Sequence, residues 1–122
     1  MIIGKVTTNL EAIIELEVGN LNQWVKIESV IDTGFSGYLA LPSDLINRLK
    51  LPQIDNQEVM LGDGTVAVLE RYLVKIIWSG EERSISALRS DGGPLAGMSL
   101  LYGSRAVLDV VEDGSVRIDA LL

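Results

Sequence analysis
Asp32, Thr33 and Gly34 are the residues in this chain best placed to do chemistry. They follow an apolar stretch, Val30-Ile31, and lead into a loose segment, Phe35-Ser36-Gly37, before the chain turns apolar again at Tyr38-Leu39-Ala40-Leu41. A carboxylate at the end of a buried strand is costly unless something pairs with it. Gly34 and Gly37 let the backbone turn sharply just after it. The pattern delivers one carboxylate to a fixed point on a rigid frame, which is what a site requires. The chain has no histidine and no cysteine. Thiol nucleophiles, Ser-His and Cys-His arrangements, disulfides and the usual zinc sites are therefore excluded. Acid–base work falls to carboxylates, Lys or Tyr.

Several elements must hold that carboxylate in place. Met1 to Thr8 reads as a strand, and Leu10 to Val18 alternates charged and apolar residues as a half-buried strand does. Gly19-Asn20 reads as a turn into a third strand, Gln23 to Ile31, which delivers Asp32. Trp24 and Trp78 read as packing residues. Pro42-Ser43-Asp44 opens a short helix over SDLINRLK, with Ser43 as its N-cap, Leu45, Ile46 and Leu49 as its apolar face, and Pro52 as its stop. Strand sequence resumes at Glu58. It turns at Gly62-Asp63-Gly64, runs from Thr65 to Ile77, turns at Gly80-Glu81 and continues over Arg83 to Leu88. Asp91-Gly92-Gly93-Pro94 interrupts it, and Met98 to Tyr102 makes a helical turn. Arg105 to Val111 and Ser115 to Leu121 close the chain as a hairpin about Asp113-Gly114.

The order of these features resembles the aspartic proteases, in particular the short single-domain, retroviral-type members that act as homodimers. Asp32-Thr33-Gly34 after two apolar residues carries the resemblance. The helix, the hairpin about Leu61 to Thr65, and Leu95-Ala96-Gly97 before MSLL follow in the family's order over roughly residues 23 to 111. The resemblance implies a mostly β, retropepsin-like acid protease fold: a closed, barrel-like lobe with one or two short helices and a flap hairpin, in a single domain over residues 1–122. It implies an aspartic endopeptidase. Two carboxylates about 3 Å apart cannot both ionise, so one takes a proton from water while the other donates to the scissile carbonyl. The chain holds one Asp-Thr-Gly. A second copy must therefore supply the second Asp32, on the axis of a two-fold homodimer.

On the same resemblance, Asp32, Thr33 and Gly34 are the catalytic set. Thr33 supports the dyad across the axis, and Gly34 lets backbone approach the substrate. Phe35, Ser36, Leu61, Gly62, Asp63, Gly64 and Thr65 bind an extended peptide, with the hairpin as the flap, while Ala96 and Gly97 pack beneath the loop. Phe35 stands where the retroviral members carry Ala, so its ring either shapes a pocket or crowds one. The charge at Asp63 disfavours acidic substrate side chains. The dimer sheet is expected from the chain termini, Met1 to Val6 and Val116 to Leu122. No cofactor and no metal is expected.

The formal net charge of -7 argues against a nucleic-acid surface, and with it a DNA-binding barrel. The apolar runs are too short to span a bilayer and no leader is visible, so a soluble, cytoplasmic protein is expected. The rival reading is a silent protease-fold module for dimerisation or peptide binding, because a fold does not fix a function.

Overall fold
A computed structural model describes residues 1–121. It is mostly β. In chain order the elements are β1 (Ile2–Val6), β2 (Ala12–Asn20), β3 (Gln23–Ile31), β4 (Leu39–Pro42), α1 (Ser43–Leu49), β5 (Gln53–Met60), β6 (Val66–Trp78), β7 (Glu81–Ser90), β8 (Leu95–Ala96), α2 (Met98–Leu101), β9 (Ser104–Leu108) and β10 (Ser115–Ala120). The strands form one continuous sheet in the order β5-β6-β7-β4-β8-β3-β2-β1-β10-β9, and β6 also pairs with β2. That extra pairing closes β2, β6, β7, β4, β8 and β3 into a six-strand barrel. Closure leaves the barrel strands no exposed edge. The remaining edges are β5 at one end and β9 at the other.

Alternation along the strands supplies the interior. On β2, Ile14, Leu16 and Val18 are buried while Glu15 and Glu17 face out. On β6, Tyr72, Val74, Ile76 and Trp78 are buried, and on β10 Val116 and Ile118. Leu39, Ala40 and Leu41 are buried on both faces of β4, because α1 covers it with Leu45, Ile46 and Leu49. Both tryptophans pack as expected. Trp78 joins the core, and the Trp24 ring lies over Gly19, where a Cβ would stand 2.7 Å from it. No helix of the described residues is long and apolar enough to cross a membrane.

The structure moves several boundaries. Gly19 and Asn20 belong to β2, and the turn falls on Leu21-Asn22, with Leu21 at φ 56°. Ser43 is the first helical residue rather than the cap. Pro42 takes the cap position in extended conformation, and no side chain caps the helix. Lys50, not Pro52, ends α1: it adopts a left-handed conformation, and its N–H reaches back to the carbonyls of the last turn. The second hairpin turn is Ser79-Gly80, both at positive φ, and Glu81 already belongs to β7. β5 begins at Gln53, five residues before Glu58, and β9 ends at Leu108 rather than Val111. The chain termini offer no free strand edge. β1 lies between β2 and β10, and β10 between β1 and β9. The expected dimer sheet from Met1–Val6 and Val116 onward therefore has its strands already paired, and Leu122 lies outside the described residues.

Candidate active site
Asp32 leaves the end of β3 at the point where that strand pairs in parallel with β8, Val30 opposite Leu95 and Ile31 opposite Ala96. The ladder continues one step further, because the Asp32 N–H donates to the Ala96 carbonyl at 2.9 Å. The backbone then turns on itself, with Phe35 N–H donating to the Asp32 carbonyl at 3.2 Å. The Gly34 N–H donates to Asp32 Oδ1 at 2.9 Å, which fixes the half-buried carboxylate. An Asp two residues before an N–H it accepts from is a compact local turn.

The loop after Asp32 is fastened to the start of α2. Gly97 N–H donates to Tyr38 O at 2.9 Å, Met98 N–H to Phe35 O at 2.8 Å and Ser99 N–H to Gly37 O at 3.1 Å. The Ser99 hydroxyl adds a bond to Ser36 O at 2.6 Å. These bonds demand close approach. A Cβ on Gly97 would sit 2.2 Å from Gly37 O and 2.7 Å from the Phe35 ring. A Cβ on Gly37 would meet that ring at 2.6 Å. The two glycines make the space into which Phe35 folds. The ring neither fills the cleft nor stands free in solvent; it is half-buried against its own loop. Ala96, fully buried, packs beneath, as the resemblance implied.

Above the loop lies a cleft of about 670 Å³. Its floor includes Asp32, Gly34, Phe35 and Ser36, and its roof is the β5–β6 hairpin through Gln57, Val59, Leu61 and Gly62. Asp63, Gly64 and Thr65 stand outside the lining. They form the hairpin tip, where Leu61 N–H donates to Thr65 O and Gly64 N–H to Leu61 O, each at 2.8–2.9 Å. Asp63 Oδ1 accepts from both the Thr65 hydroxyl, at 2.6 Å, and the Thr65 N–H, at 2.9 Å. Those bonds, the hydroxyl first, hold its carboxyl below the usual range. The Asp63 charge is thus committed within the turn.

Thr33 points away from this cleft. It lines a neighbouring groove of about 710 Å³, together with α2 and β9, and Ser36 stands between the two. Among the described residues no cluster of Asp and Glu gathers to hold a metal ion.

The cleft also takes in residues that reading the sequence did not single out. Arg71, Ser86 and Leu88 line it from β6 and β7. Arg71 grips Asp55 through two bonds, Nε to Oδ1 at 2.7 Å and Nη2 to Oδ2 at 2.5 Å. The bond from Arg71 lowers the Asp55 pKa, and the same contact raises that of Arg71. Behind the hairpin, the Arg89 guanidinium donates to the Tyr72 hydroxyl at 2.7 Å. Its Nε lies 2.7 Å from Glu70 as a charge contact whose angle is too poor for a hydrogen bond. Only the pairing Asp55↔Arg71 across β5 and β6 could have marked Arg71, and that register is invisible without the fold. No protein-family model matches the chain, and no curated protein matches it.

Proposed function
We propose that the chain is one half of a retroviral-type aspartic endopeptidase, completed by a second copy. The observation that carries this reading is the placement of Asp32. It is a half-buried carboxylate, oriented by the Gly34 N–H, on the floor of a cleft roofed by a hairpin. The β5–β6 hairpin takes the part of the flap and offers the Gly62 backbone, which lines the cleft, to an extended peptide. Phe35, Val59, Leu88 and Leu95 give the cleft an apolar lining suited to apolar substrate side chains.

In the completed site, Asp32 of each copy forms the dyad. The ionised member takes a proton from water, and the resulting hydroxide-like oxygen attacks the peptide carbonyl carbon. The protonated member gives its proton to the carbonyl oxygen. Collapse of the tetrahedral adduct breaks the C–N bond, and the nitrogen leaves with the proton the first carboxyl had taken. The pair titrates as a unit, so the pH profile reports two macroscopic values.

The test is cleavage of an unfolded protein substrate between about pH 4 and 7 by wild type and Asp32→Asn, with and without pepstatin. The substitution keeps shape and removes the charge. Asp32→Asn is expected to lose at least about a hundredfold in kcat/KM, the low end of what positioned acid–base catalysis supplies. Equal cleavage by both proteins would sink the reading. A well-folded dimer that cleaves nothing would point instead to the binding module.

A further inference from the structure
We infer that the Asp91-Gly92 step is a site of spontaneous backbone modification, where aspartate converts to isoaspartate in the folded chain, and that the fold shields Asp63-Gly64 and Asp113-Gly114 from the same reaction. The inference needs neither a second copy nor catalysis by the chain. An Asp followed by Gly is open to this chemistry because glycine has no Cβ to crowd its own nitrogen. The Gly nitrogen loses its proton and attacks Cγ of the protonated Asp carboxyl. The N–Cγ bond forms, and the carboxyl hydroxyl leaves with the nitrogen's proton as water, giving a cyclic imide. Water then adds back to one of the two imide carbonyls. Addition at Cγ restores aspartate. Addition at the main-chain carbonyl breaks its bond to the nitrogen and leaves the chain running through Cβ and Cγ, one main-chain atom longer.

The reaction needs a carboxyl that can protonate and swing onto the next nitrogen, and a nitrogen free to release its proton. Asp63-Gly64 meets neither condition. Asp63 Oδ1 is held by the Thr65 hydroxyl at 2.6 Å and the Thr65 N–H at 2.9 Å, and these bonds keep the carboxyl ionised to lower pH than usual. The Gly64 N–H is bound to the Leu61 carbonyl at 2.9 Å.

Asp113-Gly114 is shielded by its backbone. The Asp113 N–H donates to Val6 O at 3.0 Å and the Gly114 N–H to Val111 O at 2.9 Å, while Gly114 O accepts from the Val6 N–H at 2.8 Å. Gly114 is buried, and a Cβ there would stand 1.8 Å from the Asp109 carbonyl oxygen. The rotation that brings the Gly114 nitrogen onto Cγ has no room. A longer main chain at this point would also part the bonds that tie it to the end of β1.

Asp91-Gly92 has none of these restraints. Asp91, Gly92 and Gly93 are exposed, and among the described residues the Asp91 carboxylate makes no hydrogen bond. The Gly92 N–H is held by the Ser90 hydroxyl at 3.1 Å, a group that rotates away at little cost, and not by a carbonyl fixed in a turn. Apart from chain neighbours, a Cβ on Gly92 would have Ser90 Oγ at 3.8 Å and nothing else within 4 Å, and a Cβ on Gly93 nothing at all. The loop can therefore open locally without disturbing the sheet. It can also absorb the extra atom. The next fixed point is Pro94, whose carbonyl accepts from the Val30 N–H at 3.0 Å just before β8 pairs with the strand that ends at Asp32. Gly92 and Gly93 lie between the modified residue and that anchor.

The experiment ages the purified, folded chain in warm neutral buffer, alongside the same chain unfolded in urea, and maps isoaspartate by tryptic digestion and mass spectrometry. Trypsin puts each step in its own peptide, residues 51–71, 90–105 and 106–117. Electron-transfer fragmentation separates isoaspartate from aspartate, and a sample digested at time zero corrects for conversion during digestion. In the folded chain Asp91 is expected to convert at least about tenfold faster than Asp63 or Asp113, the rate equivalent of one hydrogen bond that must first open. In urea the three should convert at similar rates, because only the fold separates them. Thr65→Val, checked for folding by circular dichroism, removes one bond to Asp63 and should speed conversion there while leaving Asp91 unchanged. Conversion of Asp63 or Asp113 as fast as Asp91 in the folded chain overturns the inference. So does an Asp91 that stays intact for as long as the unfolded chain needs to convert, or a preference for Asp91 that persists in urea. A Thr65→Val protein whose Asp63 stays as slow as before overturns the shielding assigned to that turn.

Discussion

At the scale of single residues, the site is held by the absence of side chains as much as by their presence. Asp32 owes its position to the Ala96 carbonyl and the Gly34 N–H, and the loop after it owes its path to Gly37 and Gly97. The two glycines are needed for different reasons, which a mutational cycle separates. The three atoms nearest a Cβ on Gly37 all belong to the Phe35 ring, whereas a Cβ on Gly97 meets the Gly37 carbonyl at 2.2 Å. Either Gly→Ala change is expected to destabilise by about 1–3 kcal/mol in urea denaturation, as overpacking does. In a Phe35→Ala background the Gly37→Ala cost should fall by about 1 kcal/mol, while most of the Gly97→Ala cost remains. Equal relief at both positions would show that the Gly97 contact is with the ring alone. The place of Asp32 at a strand end was legible in the sequence, since it follows apolar residues and precedes two glycines. The way Phe35 fits was not, because Gly97 lies 62 positions away in the chain.

At the scale of elements, the β5–β6 hairpin is pinned at its tip by Asp63 and near its base by Asp55. Both carboxyls are held below the usual range, Asp63 by Thr65 and Asp55 by Arg71. A carboxyl whose folded value is lowered contributes order that is present above its unfolded value and is lost as pH falls through the folded one. The hairpin should therefore keep its tip through mildly acid conditions and loosen only below about pH 4. Amide exchange or an NMR titration of residues 61–65 checks this. Loosening that began near neutrality would refute it, and Asp63→Asn should speed exchange at the Thr65 amide without waiting for acid. The hairpin turn was readable from Gly62-Asp63-Gly64 between apolar runs. The first half of β5 was not. Residues 53–58 are exposed throughout, so QIDNQE shows none of the alternation that burial imprints on a strand. Its pairing with β6, not its own pattern, makes it a strand. The parallel pairing of β3 with β8 was hidden for a related reason: β8 is two residues long, too short to show any period.

At the scale of the whole molecule, closure of six strands accounts for what the chain leaves open. The barrel uses its own edges, β1 and β10 pair internally, and β9 is left as the apolar edge beside the loop of Asp32. The mostly β character and the small helices were readable from strand alternation and from SDLINRL. Which edge stays free was not, because edges are a property of the order in which strands pair. The net charge sets how the proposed dimer responds to salt. Two chains of formal charge -7 with centres roughly 25 Å apart, the scale of a domain this long, repel by about 8 kcal/mol in unscreened water. The screening length is about 30 Å at 0.01 M salt and about 10 Å at 0.1 M, so most of that repulsion disappears over this range. A contact made by apolar surface contains no ion pair to be weakened in return. The dimer should accordingly tighten at least about tenfold between 0.01 and 0.1 M salt, read as the dissociation constant in sedimentation. Any interface held instead by ion pairs between Arg or Lys and the acidic surface would loosen over the same range. A dimer that weakens as salt is added is therefore held by ion pairs and not by an apolar face.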